Sequence, residues 1–487
     1  MKINWEELAR NYENKNRYRK TVREVGGNYQ FHAAPSPCFP SDLVLRDYQK
    51  QAVINWFRHR GRGVLKMATG SGKTITALAI AIELYEKIGL QVLLVICPYR
   101  HLVTQWSRES KKFNLQPILA FESVEQWQGK LSHQLYLLTR GTIDFVTIIT
   151  TNATLITEGL QSQLSYFPEK SLIVGDEVHH FGSPRLLASL PKNMGLRLGL
   201  SATPERYFDE TGTDAVFDYF GGVLKPEFTL ADAIEQGALV PYYYYPIFVE
   251  LTESEALAYA KLTKRIGWEL AENSNWKTNE TLTSLLMQRS RLVGTAENKL
   301  PTLANLMSSR LQTSHTLFYC GDGAIESPSR GTYRQVAAVT QLLGNELGFR
   351  VNSYTAETPL AEREKLRQQF ESGELQGLVA IHCLDEGVDI PAICHGIILA
   401  STGNPRQFIQ RRGRVLRPHP KKKEATIFDL IVIPPQLDRE VWEVERRLLQ
   451  KELKRFLEFG KLAKNAESAT QKLLALQEQY QLPTIDL

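Results

Sequence analysis

Val64-Leu-Lys-Met-Ala-Thr-Gly-Ser-Gly-Lys-Thr-Ile-Thr-Ala-Leu78 is the stretch whose reading decides the fold. A short apolar run, Val64–Met67, enters a loop with glycines at 70 and 72, and an apolar helical pattern over Thr74–Ile88 leaves it. Strand, glycine loop and helix in that order make a cradle for phosphate. The glycines at 70 and 72 let the backbone of Thr69, Gly70, Ser71 and Gly72 curl so that successive N–H groups point at phosphate oxygens. Lys73 supplies a point charge to the β and γ phosphates, and the Thr74 hydroxyl can ligate Mg²⁺. The helix that starts there turns its positive end toward the same phosphates. Met67 stands where the general pattern has its first glycine, so the match is one residue short.

Outward from the cradle, further apolar runs predict strands at Val92–Cys97, Phe145–Ile149, Leu172–Val174 and Leu196–Leu200, with helical patterns between several of them. Such alternation implies a parallel α/β sheet. A second series follows at Thr316–Tyr319, Leu378–Ile381, Gly396–Leu399 and Thr426–Ile433. The reading is α/β, with two tandem parallel-sheet domains, a helical insert and a C-terminal helical tail. Its boundaries are an N-terminal extension over 1–40, a first domain over 41–228 and a linker with helices over 229–312. A second domain covers 313–435 and the tail 436–487.

The strand at Leu172 ends in Gly175-Asp-Glu-Val-His179. Hydrolysis of a nucleotide needs one carboxylate to hold the metal and one to activate water. Adjacent residues at a strand end can splay to those tasks, Asp176 toward Mg²⁺ and Glu177 toward the γ-phosphate. His179 and His180 lack partnering Cys or His and read as a link between this site and its neighbours.

Composition sets the outer limits. The chain has 487 residues, 43% hydrophobic and 23% charged, the balance of a protein with real cores. A net charge of +5 is only weakly suggestive of a polyanionic partner. No apolar run reaches the roughly 18 residues of a membrane span. The polar start, Met1 to Arg10, lacks the centre of a secretory signal, which predicts the cytoplasm. The five cysteines have no C-x-x-C spacing, so a zinc or iron–sulfur site and a disulfide framework are not expected. Lys421-Lys-Lys423 reads as a solvated turn.

Taken together, Leu45-Arg-Asp-Tyr-Gln49, Met67–Thr74, Pro98 to Trp106, Asp176–His179, Ser201-Ala-Thr203, Leu384–Pro391 and Gln410–Arg417 resemble the ordered motifs of superfamily 2 helicases and translocases. The likeness runs from about Leu45 to Ile433. Met67–Thr74, Asp176–His179 and Ser201-Ala-Thr-Pro-Glu-Arg206 are similar to the branch of restriction-enzyme motor subunits and XPB-like helicases. DEAD-box RNA helicases would have Ala and Asp where Val178 and His179 stand. The resemblance implies two RecA-like domains, ATP and Mg²⁺ as cofactors, and DNA, single- or double-stranded, as the track.

It also implies roles. Gln49 would contact the adenine edge, since an amide donates and accepts at once. Ser201 and Thr203 would relay the nucleotide state to the track, and Gly387 and Asp389 would lie near ribose or metal. Offsets of four and seven put Gln410, Arg414 and Arg417 on one helical face, where Arg414 and Arg417 would meet the charge building on the γ-phosphate. Bound ATP would then act as removable glue between the two domains. Gln105, Trp106, Thr150, Thr151 and, in the second domain, Thr355 are the candidate contacts to phosphates and bases, with core packing an equal reading for Trp106.

Three functions compete at this stage. One is an ATP-driven helicase or translocase on DNA, in phage defence or repair. Another is an ATP-gated clamp or sensor that recruits partners without unwinding, and the third is an RNA helicase. No nuclease carboxylate–lysine motif is legible, so DNA cleavage is expected from separately encoded partners. The tail and residues 250–312 are the expected partner surfaces.

Overall fold

The computed structural model describes residues 3–18, 36–206, 209–272, 280–321, 323–327, 331–355, 357–381, 390–400, 412–435 and 439–482. The chain divides into two units, Met1–Asp232 and Ala233–Leu487.

The first unit holds β1 (Arg62–Lys66), β2 (Val92–Cys97), β3 (Ile118–Ala120), β4 (Val146–Thr151), β5 (Ser171–Asp176) and β6 (Leu196–Ser201). They lie side by side in the order β1-β6-β5-β2-β4-β3, and every pairing is parallel. Parallel strands need helical crossovers, which cover both faces of the sheet. That is why β2, β4, β5 and β6 are buried along their whole length. Their side chains pack with Trp127, Leu131, Phe181 and Phe220 in one core.

The outer side of β1 is covered by the segment around 222–228. Val64 N–H donates to Gly222 O at 3.0 Å, Phe228 N–H to Lys66 O at 3.0 Å and Ala68 N–H to Phe228 O at 2.8 Å. The N-terminal helix Trp5–Tyr18 docks on the helix Asp47–Arg58 through edge-on pairs of Trp5 with Trp56 and Tyr12 with Phe57.

The second unit holds β7 (Tyr242–Glu250), β8 (Thr316–Tyr319), β9 (Ala324–Ser327), β10 (Gly331–Arg334), β11 (Val351–Tyr354), β12 (Gly377–Ala380), β13 (His395–Ile398) and β14 (Ala425–Ile433). Six of these form a parallel sheet in the order β11-β12-β8-β13-β14-β7, and β9 and β10 form a separate antiparallel pair.

One element departs from expectation. β7 lies in the stretch read as linker and helix, yet it pairs with β14 in register from Tyr242↔Ala425 to Glu250↔Ile433. Pro246 fits there because the strand is at the edge of its sheet, where a missing N–H costs no ladder bond on the open side. That open side is closed locally by the tail. Lys464 N–H donates to Tyr242 O at 2.7 Å. The Asn465 amide accepts from Tyr244 N–H and donates to Tyr244 O, both at 2.9 Å.

The tail helices Arg439–Lys461 and Ala466–Gln479 are thus part of the second unit's packing. Tyr259 on the helix Glu253–Glu272 donates to Glu445 at 2.7 Å, and Arg289 on the helix Glu280–Gly294 pairs with Glu445 at 3.3 Å. These contacts use one face of the helices, and Leu257, Trp268, Met287 and Leu474 stay exposed on others. No helix among the described residues is long and apolar enough to cross a membrane.

Candidate functional site

In the first unit the ends of β1, β5 and β6 deliver the cradle, the acidic pair and Ser201 to one edge of the sheet, because parallel strands all end on the same side. The loop after β1 turns on Gly70 and Gly72, both left-handed at φ 85° and 84°. A side chain at 72 would be strained there, and its Cβ would sit 2.5 Å from Gln49 Nε2. Gly72 also caps the helix Lys73–Ile88, so the loop's N–H groups and the helix dipole face the same space.

The Lys73 ammonium donates to Met67 O at 3.2 Å, and Thr74 is half-buried on the first turn. The hydroxyls of Thr69 and Ser71 are buried without a hydrogen-bond partner. Curled glycines, a lysine at the loop's end and unsatisfied hydroxyls are the donor set that a triphosphate requires, so the residues fit that ligand.

Gln49 is placed at this loop, but its amide is engaged there. Oε1 accepts from Arg46 N–H at 3.0 Å, and Nε2 donates to the carbonyls of Ser71 and Gly72 at 3.4 and 3.3 Å. It ties the start of its own helix to the cradle. Tyr48, which sequence reading passed over, donates to Ser71 O at 2.6 Å and stacks on Phe228 at 3.7 Å. Together they brace the loop from behind.

Asp176, the last residue of β5, is buried. Its Oδ2 accepts from the Trp106 indole N–H at 2.8 Å and its Oδ1 from Glu177 N–H at 3.0 Å. Burial, then the neighbouring Glu177 charge, push its pKa up from the usual carboxylate range to about 6, against the pull of Trp106 and Lys73. A bound dication would reverse that balance, and Thr74 and Asp176 have the hard oxygens that Mg²⁺ takes.

Glu177 holds a left-handed backbone, φ 48° and ψ 59°, uncommon for a residue with a side chain. The turn aims its carboxylate at Ser201 Oγ, 3.3 Å away, and His179 Nδ1, 3.5 Å away. His179 and Ser201 are 3.2 Å apart, and Ser201 Oγ accepts from Thr203 N–H at 3.1 Å. The acidic pair and the Ser201-Ala-Thr203 turn are joined, and His179 is the join. Arg206 adds a clamp by donating to His179 O and to Asp209 Oδ2 at 2.6 Å.

The candidate track contacts sort differently. Trp106 is 1% exposed and bonded to Asp176, so the expected stacking on bases is corrected: its ring face is enclosed by the core. Thr150 is fully buried and donates to Ala120 O at 2.7 Å, and Thr151 caps a short helix by accepting from Thr154 N–H at 3.1 Å. Both hydroxyls serve the fold, because the strand end that carries them lies inside the sheet. Gln105 and Thr355 are half-buried, and Thr355 N–H donates to Thr358 Oγ1 at 3.1 Å.

In the second unit, Gln410, Gly387 and Asp389 lie outside the described residues. Arg414 is buried and Arg417 half-buried. Two residues hold their segment from below. Arg412 is fully buried and ion-pairs with Asp429 on β14, which also accepts from Tyr244 at 2.9 Å. Lys422, expected on a solvated turn, is instead buried, and its ammonium donates to Val415 O and to Arg417 O at 2.9 Å. It occupies the carbonyl end of the arginine segment, where a cation is favoured.

Two family models match the chain: "Type III restriction enzyme, res subunit" over residues 42–206 and "Helicase conserved C-terminal domain" over 324–419. The DNA 3'-5' translocase XPB2 of Sulfurisphaera tokodaii is 27% identical over 412 residues, 82% of this chain and 83% of that protein. A Haloarcula marismortui protein named for a DNA 3'-5' helicase, Rad25, is 28% identical over 386 residues, 77% of this chain and 51% of that protein. Among solved structures, the ATP-dependent Type ISP restriction-modification enzyme LlaBIII bound to DNA has the same fold. Its TM-score is 0.58 at 18% identity, over 92% of this chain and 33% of that one. The chain therefore spans most of the first protein's length, about half of the second's and a third of the third's.

Proposed function

We propose that this chain, which belongs to the superfamily 2 helicases and translocases in the branch of restriction-enzyme motor subunits and XPB-like helicases, is an ATPase that moves along DNA. The observation that carries the reading is the edge where the glycine cradle, Lys73, Asp176 and Glu177 meet, with Glu177 bonded onward to Ser201. The cradle N–H groups and Lys73 bind the β and γ phosphates. Thr74 and Asp176 would hold Mg²⁺, which would neutralise phosphate charge when bound. Glu177 accepts a proton from the attacking water, and Ser201 and His179 keep its carboxylate aimed.

By the family resemblance, Arg414 and Arg417 stabilise charge on the γ-phosphate as it departs and Gly387 and Asp389 lie near ribose or metal, whereas Gln49, its amide already bonded, braces the cradle. Arg417→Ala is then expected to keep nucleotide affinity within a few-fold while turnover drops ~10³-fold, the size of an arginine-finger effect. Equilibrium binding of a fluorescent ATP analogue beside steady-state turnover measures both. Turnover near wild type would remove Arg417 from the mechanism.

The function is tested by ATP turnover with and without duplex, forked and single-stranded DNA and RNA. Stimulation by DNA is expected, and none by any nucleic acid would sink the reading. Displacement of a triplex strand separates a motor from an ATP-gated clamp, which would hydrolyse ATP and displace nothing. By likeness to the named relatives, we assign a 3'-to-5' direction and a role in restriction-type defence or DNA repair beside separately encoded proteins. Tailed duplexes of each polarity test the first. Phage challenge against ultraviolet survival of a deletion strain tests the second.

A further inference from the structure

The helix Arg100–Lys112 has two faces with different business. Its inner face, Leu102, Val103, Trp106, Ser107 and Ser110, is buried. Its outer face exposes Arg100, Thr104, Arg108, Lys111 and Lys112, spaced so that all four cations look outward. Glu109 and Glu122 offset part of that charge: Glu109 pairs with Lys112 at 2.7 Å and Arg108 at 3.6 Å, and Glu122 with Arg100 at 3.3 Å.

The inner face touches the acidic box twice. Trp106 Nε1–H donates to Asp176 Oδ2 at 2.8 Å, and Tyr99, the residue that precedes the helix, meets His180 edge-on at 5.6 Å. A tryptophan nitrogen donates and never accepts, so the bond binds one oxygen of the carboxylate in a fixed direction. The partner oxygen is fixed by Glu177 N–H at 3.0 Å. Both oxygens are thus held from within the protein, and a shift of the helix must either carry the carboxylate along or break a buried, charge-assisted bond.

We propose that Trp106 is a positioning residue that links the basic outer face of Arg100–Lys112 to the Asp176 carboxylate, so that a nucleic-acid backbone docked on that face alters metal-nucleotide binding. This rests on the DNA-motor reading above. Phosphates neutralising Arg100, Arg108, Lys111 and Lys112 pull on the helix from outside, and the indole N–H passes the displacement to Asp176. The helix is packed against the core along its inner side, so a load on its outer face is shared by the whole element.

Trp106→Phe keeps an aromatic ring in the core, with a small cavity where the second ring was, and deletes the donor. A hydrogen bond to a charged group is worth about 1.5–3 kcal/mol, so the gain in affinity for a fluorescent ATP analogue on adding Mg²⁺ is expected to fall roughly tenfold. Affinity in EDTA should stay as in wild type, a split that a general loss of folding would not produce. Duplex DNA should shift the Mg²⁺-dependent affinity of wild type and leave that of Trp106→Phe unmoved. An unchanged Mg²⁺ gain together with a full DNA response in Trp106→Phe overturns the proposal.

The exposed double variant Arg108→Glu/Lys112→Glu covers the case in which Phe at 106 does not fold. It should keep the wild-type Mg²⁺ gain and lose the DNA-induced shift, and a persisting shift also overturns the link. A wild type that DNA does not stimulate at all indicts the motor reading itself, a result distinguishable from either variant's.

Discussion

Asp176 carries a charge that its surroundings oppose. Burial and Glu177 raise its pKa from 3.8 to about 6, so the folded chain holds a proton there at a pH where the unfolded chain has released it. Stability therefore falls as pH rises from about 4 through 6 and is level above. Asp176→Asn removes the charge but leaves one acceptor fewer for Trp106 and Glu177. A net gain of about 1–2 kcal/mol is expected at pH 7.5 in metal-free buffer, shrinking toward zero at pH 4.5, with turnover abolished. Chemical denaturation at the two pH values checks it, and equal or lower stability of the variant at pH 7.5 would refute the account. At this scale the sequence was readable where chemistry demands a residue type in a row, as at Gly70, Gly72, Lys73 and Asp176. It was silent where a long-range contact decides. Trp106 read equally as a base-stacking residue and as core packing, and the helical spacing of Leu102, Val103, Trp106 and Ser110 marks the buried face that decides for the core. Nothing near Lys422 in sequence shows that its ammonium ends on Val415 and Arg417 carbonyls.

Among elements, the interior strands were the legible ones. β2 and β8 begin and end where their apolar runs do, because a strand covered on both faces is apolar throughout. β3 is only Ile118–Ala120, too short for a pattern, and β7 runs Tyr242-Tyr-Tyr-Tyr-Pro-Ile-Phe-Val-Glu250, half exposed and interrupted by proline. Edge strands lack the signal because one side of them answers to water. The arginine segment hangs on β14 through the buried pair of Arg412 and Asp429. Asp429→Ala would leave the guanidinium uncompensated and is expected to cost about 3–5 kcal/mol. Asp429→Asn, keeping an acceptor for Tyr244, should cost less. Urea unfolding of both variants measures the difference, and equal losses would mean that the acceptor kept by Asn contributes nothing and the lost charge accounts for the whole cost.

For the whole molecule, the expectation of two parallel α/β domains holds, and the assignment of the chain between and after them changes. The stretch over 229–312 supplies an edge strand, and the tail closes that strand's open side with Asn465 and Lys464. Truncation after residue 435 would bare Tyr242 and Tyr244 and remove Glu445 from Arg289. The second unit should lose its cooperative transition, while the first keeps Mg²⁺-dependent nucleotide binding. Calorimetry beside analogue binding reads both, and an intact second transition would show the tail to be dispensable.

The pairing of Tyr242–Glu250 with Ala425–Ile433 also sets a timetable for synthesis. Every strand of the first sheet has left the ribosome once Ser201 has, and its covering segment follows within some thirty residues, so that unit can fold while the rest is still being made. β7 emerges next and must wait until Ala425–Ile433 has been made before its partner strand exists. It waits longer still for Asn465 to close its far side. During that interval a tyrosine-rich ribbon with free backbone groups is exposed to other nascent copies. Pro246 and the charged helix that begins at Glu253 are then the features that keep it from pairing with the wrong neighbour.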